Sequence, residues 1–238
     1  MSSEVLKQLA GISTATVTMQ LLKRGLRNCF IVGARPLNPG HSHFVAPAYT
    51  LRFIPMREDL SHVEVLGDPE YPPRKAIEDI PPGMALVIDA RGEPGAGVIG
   101  DILTARLQER GVAAVVSDGP VRDGVAVAAG ALPIFCPGFA APASLYVHFG
   151  ADLQSPIACG GVAVIPGDIL VGDNDGVVVI PAAMAQDIAR DGAEQERLEG
   201  FLKSRVEAGY PTIGTYPPNE ETLQAYDDWK RNLDDELS

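Results

Sequence analysis

The stretch from Met84 to Val116 constrains this chain more than any other. Met84-Ala85-Leu86-Val87-Ile88-Asp89 is a short, continuously apolar run that ends in an acid, and Gly92 to Gly100 is a glycine-rich loop. Asp101 to Arg110 then sets Ile102, Leu103 and Leu107 on one side of an amphipathic helix stopped by Gly111, and Val112 to Val116 is a second apolar run. Strand, loop, helix and strand within about 35 residues is the length of a right-handed crossover joining two parallel strands. Leu132 to Cys136 reads as a further strand of the same sheet. The fold class is therefore α/β.

The flanking segments read differently. Residues 1–28 carry helical spacing (Val5, Leu6, Leu9, then Val17, Met19, Leu21, Leu22), with Ser13 and Thr14 as N-cap candidates for the second helix. Cys29 to His62 turns to strands, broken at Pro39-Gly40. Asp68 to Pro82, with prolines at 69, 72, 73, 81 and 82, is a surface connection around a short helical turn. After Ser155, short β-rich runs alternate with Asp- and Asn-containing glycine turns, which is hairpin chemistry. Pro181 opens a long helix, roughly 182–208, closed by Gly209. The acidic tail 210–238 holds Trp229, the only tryptophan, and reads as too proline-rich to build a core of its own. With no internal repeat and no long linker, 1–238 is expected to be one domain: a core at about 84–209, an N-terminal extension over 1–60, and the tail.

Charge and composition narrow the function. Hydrophobic residues at 46% and charged residues at 21% are ordinary globular usage, which excludes a disordered chain. A net charge of −12 repels phosphates at long range and argues against a nucleic-acid partner, without excluding a local basic pocket for a small anion. No apolar run reaches the ~18 residues that a bilayer span needs, and no signal-peptide pattern is read, so no membrane partner and a cytoplasmic location are expected. Cys29, Cys136 and Cys159 are odd in number and form no CxxC, which suits free thiols in a reducing compartment.

The strongest chemical constellation is Gly100-Asp101-Ile102-Leu103, followed by Asp118-Gly119-Pro120-Val121-Arg122-Asp123. In the crossover reading both open at the carboxyl edge of the sheet, where open α/β sheets bind ligands. Backbone N–H groups of Ile102 and Leu103 at a helix start suit a carboxylate, and Arg122 can add a bidentate clamp. Asp123 offers an oxygen to a hard divalent cation such as Mg²⁺, which takes few protein carboxylates and keeps several waters. The bland reading makes Asp101 an N-cap and Arg122–Asp123 a surface pair.

Other motifs compete less well. Gly95 to Gly100 matches GxGxxG by letter, with Asp118 near the place of a ribose-binding acid. His41 and His43 are spaced as a chelating pair but have no third ligand nearby, and Asp168, Asp173, Asn174 and Asp175 fit hairpin turns better than a calcium loop. Cys136 has no local base and reads as core.

At Gly100 to Leu103, at R-G-V-A-A-V-V-S-D-G-P-V-R-D (Arg110 to Asp123) and at P-G-D-I-L-V-G-D-N-D-G-V-V-V-I-P (Pro166 to Pro181), the chain resembles the RraA-like family. That family includes the regulator of ribonuclease activity A and the 4-hydroxy-4-methyl-2-oxoglutarate/4-carboxy-4-hydroxy-2-oxoadipate aldolases. The resemblance implies a swivelling β/β/α-type sandwich, here with added N- and C-terminal helices, assembled as a homotrimer or hexamer with sites between subunits. It implies Mg²⁺ or Mn²⁺ on Asp123, pyruvate held by Arg122, backbone donors from Gly100 to Leu103, and a proton-relaying water oriented by Asp101. It further implies a glutamate from a neighbouring subunit's C-terminal helix, for which Glu196 and Glu199 are both candidates.

The expected reaction is metal-dependent cleavage of a small 4-hydroxy-2-oxo acid to pyruvate, with oxaloacetate decarboxylation through the same enolate. No lysine near the motifs suggests a Schiff base. Arg35, Arg52, Arg57 and His43 are the cationic candidates for the distal half of the substrate. Two alternatives stand beside this reading. One is a non-catalytic regulator that binds a ribonuclease through an acidic surface, which leaves the Arg122–Asp123 pair unexplained. The other is a methyltransferase or nucleotide-binding enzyme using the glycine loop.

Overall fold

The computed structural model describes residues 2–236, with side chains through residue 232. In chain order its elements are α1 (Ser3–Leu9), α2 (Thr14–Lys23), β1 (Arg35–Pro36), β2 (Phe44–Pro55), α3 (Pro72–Asp79), β3 (Ala85–Asp89), α4 (Asp101–Glu109), β4 (Ala114–Ser117), α5 (Gly124–Ala128), β5 (Ile134–Cys136), β6 (His148–Leu153), β7 (Ile157–Cys159), β8 (Val162–Val164), β9 (Ile169–Asp173), β10 (Gly176–Ile180), α6 (Ala185–Glu207) and α7 (Glu220–Glu236). Short 3-10 turns fill some connections, including 182–184, so the helix that opens after Pro181 becomes α-helical only at Ala185.

The expected crossover is present: β3, β4 and β5 run parallel in that order. The main sheet reads β1-β5-β4-β3-β2-β9-β10, with β6 also pairing β2, and it curls into a nearly closed wall. Strand β2 is its hinge. Its first residues pair antiparallel with β9, its middle pairs parallel with β3, and its end pairs antiparallel with β6. The segment 1–60, set apart by sequence as an extension, thus supplies a central strand.

Alternation along the strands sorts the core into layers. Leu86, Ile88, Val115 and Ile134 face Ile77 of α3 and Leu107 of α4. Ala85, Val87, Val116 and Phe135 face inward, where they meet Leu170 and Val179 of the β9–β10 hairpin and Ile157 and Val164 of the β7–β8 hairpin. The other side of β9 and β10 (Ile169, Val171, Val178, Ile180) is covered by Leu9, Val17, Leu21 and Ile188 from α1, α2 and α6. Every residue of β3 is buried because both its faces are covered, which explains its continuous apolar run. The result is a mixed α/β sandwich with helices added at both ends.

The tail packs on its own chain, with α6 as its partner. Helix α7 folds back on α6, and Tyr226 and Trp229 pack on Phe201 with ring centroids 5.5 and 5.4 Å apart. Phe201, Leu202 and Tyr226 form a small buried cluster of their own, joined by a Tyr226 hydroxyl bond to Glu194 at 3.0 Å. The prolines are confined to 211–218, ahead of the helix, so they shape the turn and leave 220–236 free to be helical. Among the described residues no helix is long and apolar enough to cross a membrane.

Candidate active site

Two adjacent parallel strands deliver the site. The chain leaving β3 runs through the glycine loop to the start of α4, and the chain leaving β4 reaches Arg122 and Asp123. The two segments lie side by side: Val98 N–H donates to the Pro120 carbonyl at 2.9 Å, and Arg122 N–H donates to the Ile99 carbonyl at 2.8 Å. Two glycines permit this approach. A Cβ on Gly97 would lie 2.3 Å from Arg122 Cγ and 2.6 Å from its backbone nitrogen, and one on Gly100 would lie 2.5 Å from Asp123 Oδ2. Two of the three glycines of the GxGxxG pattern, Gly97 and Gly100, are therefore spent on contact with the arginine–aspartate turn. Asp118 is spent as well: its carboxylate accepts the N–H groups of Ala90, Gly92 and Gly160 at 2.7, 3.1 and 3.2 Å. Nothing in that arrangement offers a ribose an acceptor.

The turn leaves its two polar side chains without ion pairs, and Asp123 accepts only the Asp101 N–H, at 3.4 Å. Asp123 adopts a left-handed backbone (φ 54°, ψ 40°) ahead of α5, and its carboxylate makes no capping bond to that helix. Aspartate tolerates this region better than most residues. Neither Arg122 nor Asp123 forms an ion pair with any described residue, and Arg122 Nε is buried without a hydrogen-bond partner. Both side chains instead line a cleft of about 200 Å³ together with Gly100, Asp101, Ile102, Leu103 and Arg74.

At the start of α4 the donors are distributed otherwise than the sequence suggested. Asp101 N–H faces Asp123 Oδ2 at 3.4 Å, and Ile102 N–H is taken by the side chain of Asp101 itself at 2.7 Å. Ile102 is thus not a free donor; the short Asp101 side chain folds back to cap its own helix. Leu103 N–H has no partner among the described residues and is the backbone donor left for a ligand.

The remaining candidates fall elsewhere. Glu196 accepts from both the N–H (2.9 Å) and hydroxyl (2.7 Å) of Ser13, tying α6 to the start of α2, and these bonds hold its carboxyl below the usual range against the opposing effect of burial. Glu199 accepts only from Gln195, at 2.8 Å. Both line a groove on α6 rather than the cleft of their own chain. Of the distal-carboxylate candidates, Arg57 is paired with Asp59 at 2.6 Å, Arg35 donates to the Asp175 carbonyl, and His43 meets the Ala10 carbonyl at 2.8 Å. None of them, nor Arg52, lines the cleft. The cation that does, Arg74, lies on α3 and was missed in a segment read as a surface connection. The only sequence signal for it is its place in the first turn of a helix opened by Pro72-Pro73. Asp168 and Asp173 serve the chain as hairpin and helix anchors: Asp168 accepts Ile165 N–H, and Asp173 accepts Thr14 N–H and Asp175 N–H. The three cysteines are free and buried, and burial raises each thiol above its usual range.

The chain, with this nearly closed mixed sheet and an arginine–aspartate turn beside the start of α4, belongs to a class of proteins whose family model matches most of it. The class is the RraA-like family, whose model, described as Aldolase/RraA, matches residues 12–179. A protein of Halalkalibacterium halodurans provisionally named 4-hydroxy-4-methyl-2-oxoglutarate aldolase is 34% identical over 178 residues, which cover 73% of this chain and 78% of that relative. Streptomyces coelicolor RraAS2, described as an unusual member of the RNase ES inhibitor RraA protein family, has a crystal structure similar to this one at a TM-score of 0.77 and 34% identity, covering 86% of this chain and 98% of the other. A protein from Pseudomonas syringae pv. tomato shares the fold at a TM-score of 0.80 and 23% identity, over 91% and 94% of the two chains.

Proposed function

We propose that this protein is a divalent-metal-dependent lyase of the class II pyruvate aldolase type, which cleaves 4-hydroxy-2-oxo acids such as 4-hydroxy-4-methyl-2-oxoglutarate to pyruvate and also decarboxylates oxaloacetate. The observation that carries the reading is the placing of Arg122 and Asp123, neither of them in an ion pair, in one cleft at a helix start. A surface turn kept for folding alone gains nothing from a buried guanidinium nitrogen without a partner.

The residues fit Mg²⁺ or Mn²⁺. Among the described residues no three His, Cys, Asp or Glu side chains gather into a metal cage, so Asp123 would hold the ion with solvent and substrate completing the shell, as a strongly hydrated cation prefers. Gly100 keeps open the space in which that carboxylate sits. When bound, the ion supplies positive charge against the 2-oxo and carboxylate oxygens of the substrate.

The chain's own groups do the rest. Arg122 clamps the carboxylate of the pyruvoyl end and adds charge where the 2-oxo oxygen becomes negative. Leu103 N–H gives a second fixed donor. In the cleavage the C3–C4 bond breaks, its electrons pass to C3 and the 2-oxo oxygen, and the C4 hydroxyl loses its proton. Asp101 has one oxygen on Ile102 N–H, and its other oxygen orients the water that carries the proton away and returns one to C3.

The cleft rim supports a neighbouring subunit in the site. Ile102, Val125 and Phe139 are 79%, 90% and 60% exposed around Asp123, an apolar edge of the kind that subunit contacts cover. In the proposed homotrimer or hexamer, Glu199 is the better glutamate for the neighbour's site, because Glu196 is already held by Ser13. Pyruvate release from 4-hydroxy-4-methyl-2-oxoglutarate, measured with Mg²⁺ and with EDTA, tests the reading; no metal-dependent release would refute it. A fully active monomer near 25 kDa in light scattering would refute the shared site.

A second reading, regulation of a ribonuclease by protein–protein contact, draws on the net charge of −12 and on the similarity to RraAS2. Formation of a complex with a ribonuclease, in a protein without lyase activity, would establish it instead.

A further inference from the structure

The cations around the cleft are not equivalent. On α3 and α4, Lys75 is paired with Glu70, while Arg106 and Arg110 share Glu78 at 2.7 and 3.9 Å. Only two guanidinium groups on this face have no acidic partner among the described residues, Arg122 and Arg74, and both line the same 200 Å³ cleft with Asp123. Arg74 has no ion-pair partner among the described residues, although Asp101 and Asp123 line the same cleft, and this leaves its guanidinium open to an anionic ligand.

Arg74 is also held on a firm base. Tyr71, immediately before α3, accepts Gly150 N–H on its hydroxyl at 2.9 Å, and a Cβ on Gly150 would lie 2.3 Å from Pro73 Cδ, so the first turn of α3 presses against β6. The far end of α3 is tied to α4 through Glu78. The helix bearing Arg74 and the helix whose start forms the cleft are therefore locked to each other. These contacts fix the backbone from which Arg74 reaches the cleft.

Beyond Arg74 the cleft meets a larger cavity of about 610 Å³, which shares Arg74 and Leu103 with it. That cavity is lined by four carboxylates (Asp68, Glu70, Glu78, Asp79) against two cations (Arg74 and Lys75). It offers room but repels negative charge.

We infer that Arg74 is a specificity-determining residue that receives one distal carboxylate of the substrate, and that the acidic cavity behind it disfavours another. This rests on the proposed lyase reading, in which Arg122 takes the pyruvoyl end. The substrate class is then the 2-oxo dicarboxylates: monocarboxylates leave Arg74 unpaired, and tricarboxylates such as 4-carboxy-4-hydroxy-2-oxoadipate place a further charge among like charges.

Calorimetric binding to the full chain with Mg²⁺ present, independent of turnover, tests the inference. The probes are 2-oxobutyrate, 2-oxoglutarate, and 2-oxoglutarate bearing a carboxymethyl group at C4. The wild type should bind 2-oxoglutarate about 10- to 100-fold more tightly than 2-oxobutyrate, the range for a charge-assisted pair, and more tightly than the tricarboxylate. Arg74→Gln should erase the preference over 2-oxobutyrate, and Arg74→Lys should keep part of it. Equal binding of the mono- and dicarboxylate by the wild type, an undiminished preference in Arg74→Gln, or tighter binding of the tricarboxylate would overturn the inference. An Arg74-dependent preference without pyruvate release from any 4-hydroxy-2-oxo acid would uphold this assignment and refute the lyase reading. Pyruvate release with no such preference would do the reverse.

Discussion

Replacing Gly100 by alanine isolates what this glycine does for the site. Its backbone lies at φ −122°, ψ −174°, an extended conformation that alanine adopts without strain, and it makes no side-chain cap to α4. The obstacle is local: the new Cβ would stand 2.5 Å from Asp123 Oδ2, where ordinary contact begins near 3.4 Å. The carboxylate must therefore retreat by roughly 1 Å, and because it is the end of a short exposed side chain it can do so without moving the core. Stability should change by less than about 1 kcal/mol. Activity should fall about 100-fold, the scale of loss for a misplacement of that size at a reacting centre. Gly97→Ala is the contrast: its Cβ would meet the Arg122 backbone nitrogen at 2.6 Å, which cannot rotate away, so that variant should lose about 1–3 kcal/mol of stability as well. Thermal unfolding, Mg²⁺ titration calorimetry and pyruvate release would be measured on both. A Gly100→Ala protein with wild-type Mg²⁺ affinity and turnover would refute the placement of the metal-holding carboxylate over Gly100, and one that fails to fold would refute the claim that the contact is local.

Other outcomes follow from the same geometry. Asp123→Ala should abolish metal-dependent turnover, oxaloacetate decarboxylation included, and keep the fold; full decarboxylation by that variant would exclude Asp123 as the ligand. Arg122→Lys keeps the charge but loses the fork, so KM for the 2-oxo acid should rise and kcat fall, and oxalate should compete with substrate in the wild type. His148 is fully buried against Phe53, and burial, aided by the neighbouring Arg91 guanidinium, lowers its pKa to about 4. Its unfolded form takes a proton as pH drops below about 6.5 while the folded form does not until about 4. Stability should therefore decline across that window by about 3 kcal/mol from this residue alone. Denaturant midpoints between pH 7 and 4 should show a shallower decline in His148→Gln; an unchanged slope would assign the pH dependence to other groups.

Much of the sheet was legible because its signals are local. The apolar runs at 84–89 and 112–116, the helix starting at Asp101, and the Asp- and Asn-containing glycine turns after Ser155 each announce an element within a few residues, and β3, α4, β4, β9 and β10 follow them. The arginine–aspartate turn was legible for the same reason, since the two residues are adjacent and the crossover places them at the edge where ligands bind. The packing of the tail is not legible locally, because its prolines are confined to its first part and Tyr226 and Trp229 find their partner in Phe201, more than twenty residues earlier. What the sequence determined by itself was the class of fold and the juxtaposition of Gly100–Leu103 with Arg122 and Asp123 in one cleft. Only the tertiary structure decided which charges remain free. Ile102 N–H is consumed by Asp101, Asp118 by three amides, Glu196 by Ser13, and Arg57 by Asp59, whereas Arg74 is left open toward the cleft by the packing of α3 on β6 and α4. A charge is available for chemistry only if nothing nearer neutralises it, and that depends on neighbours brought together from distant parts of the chain.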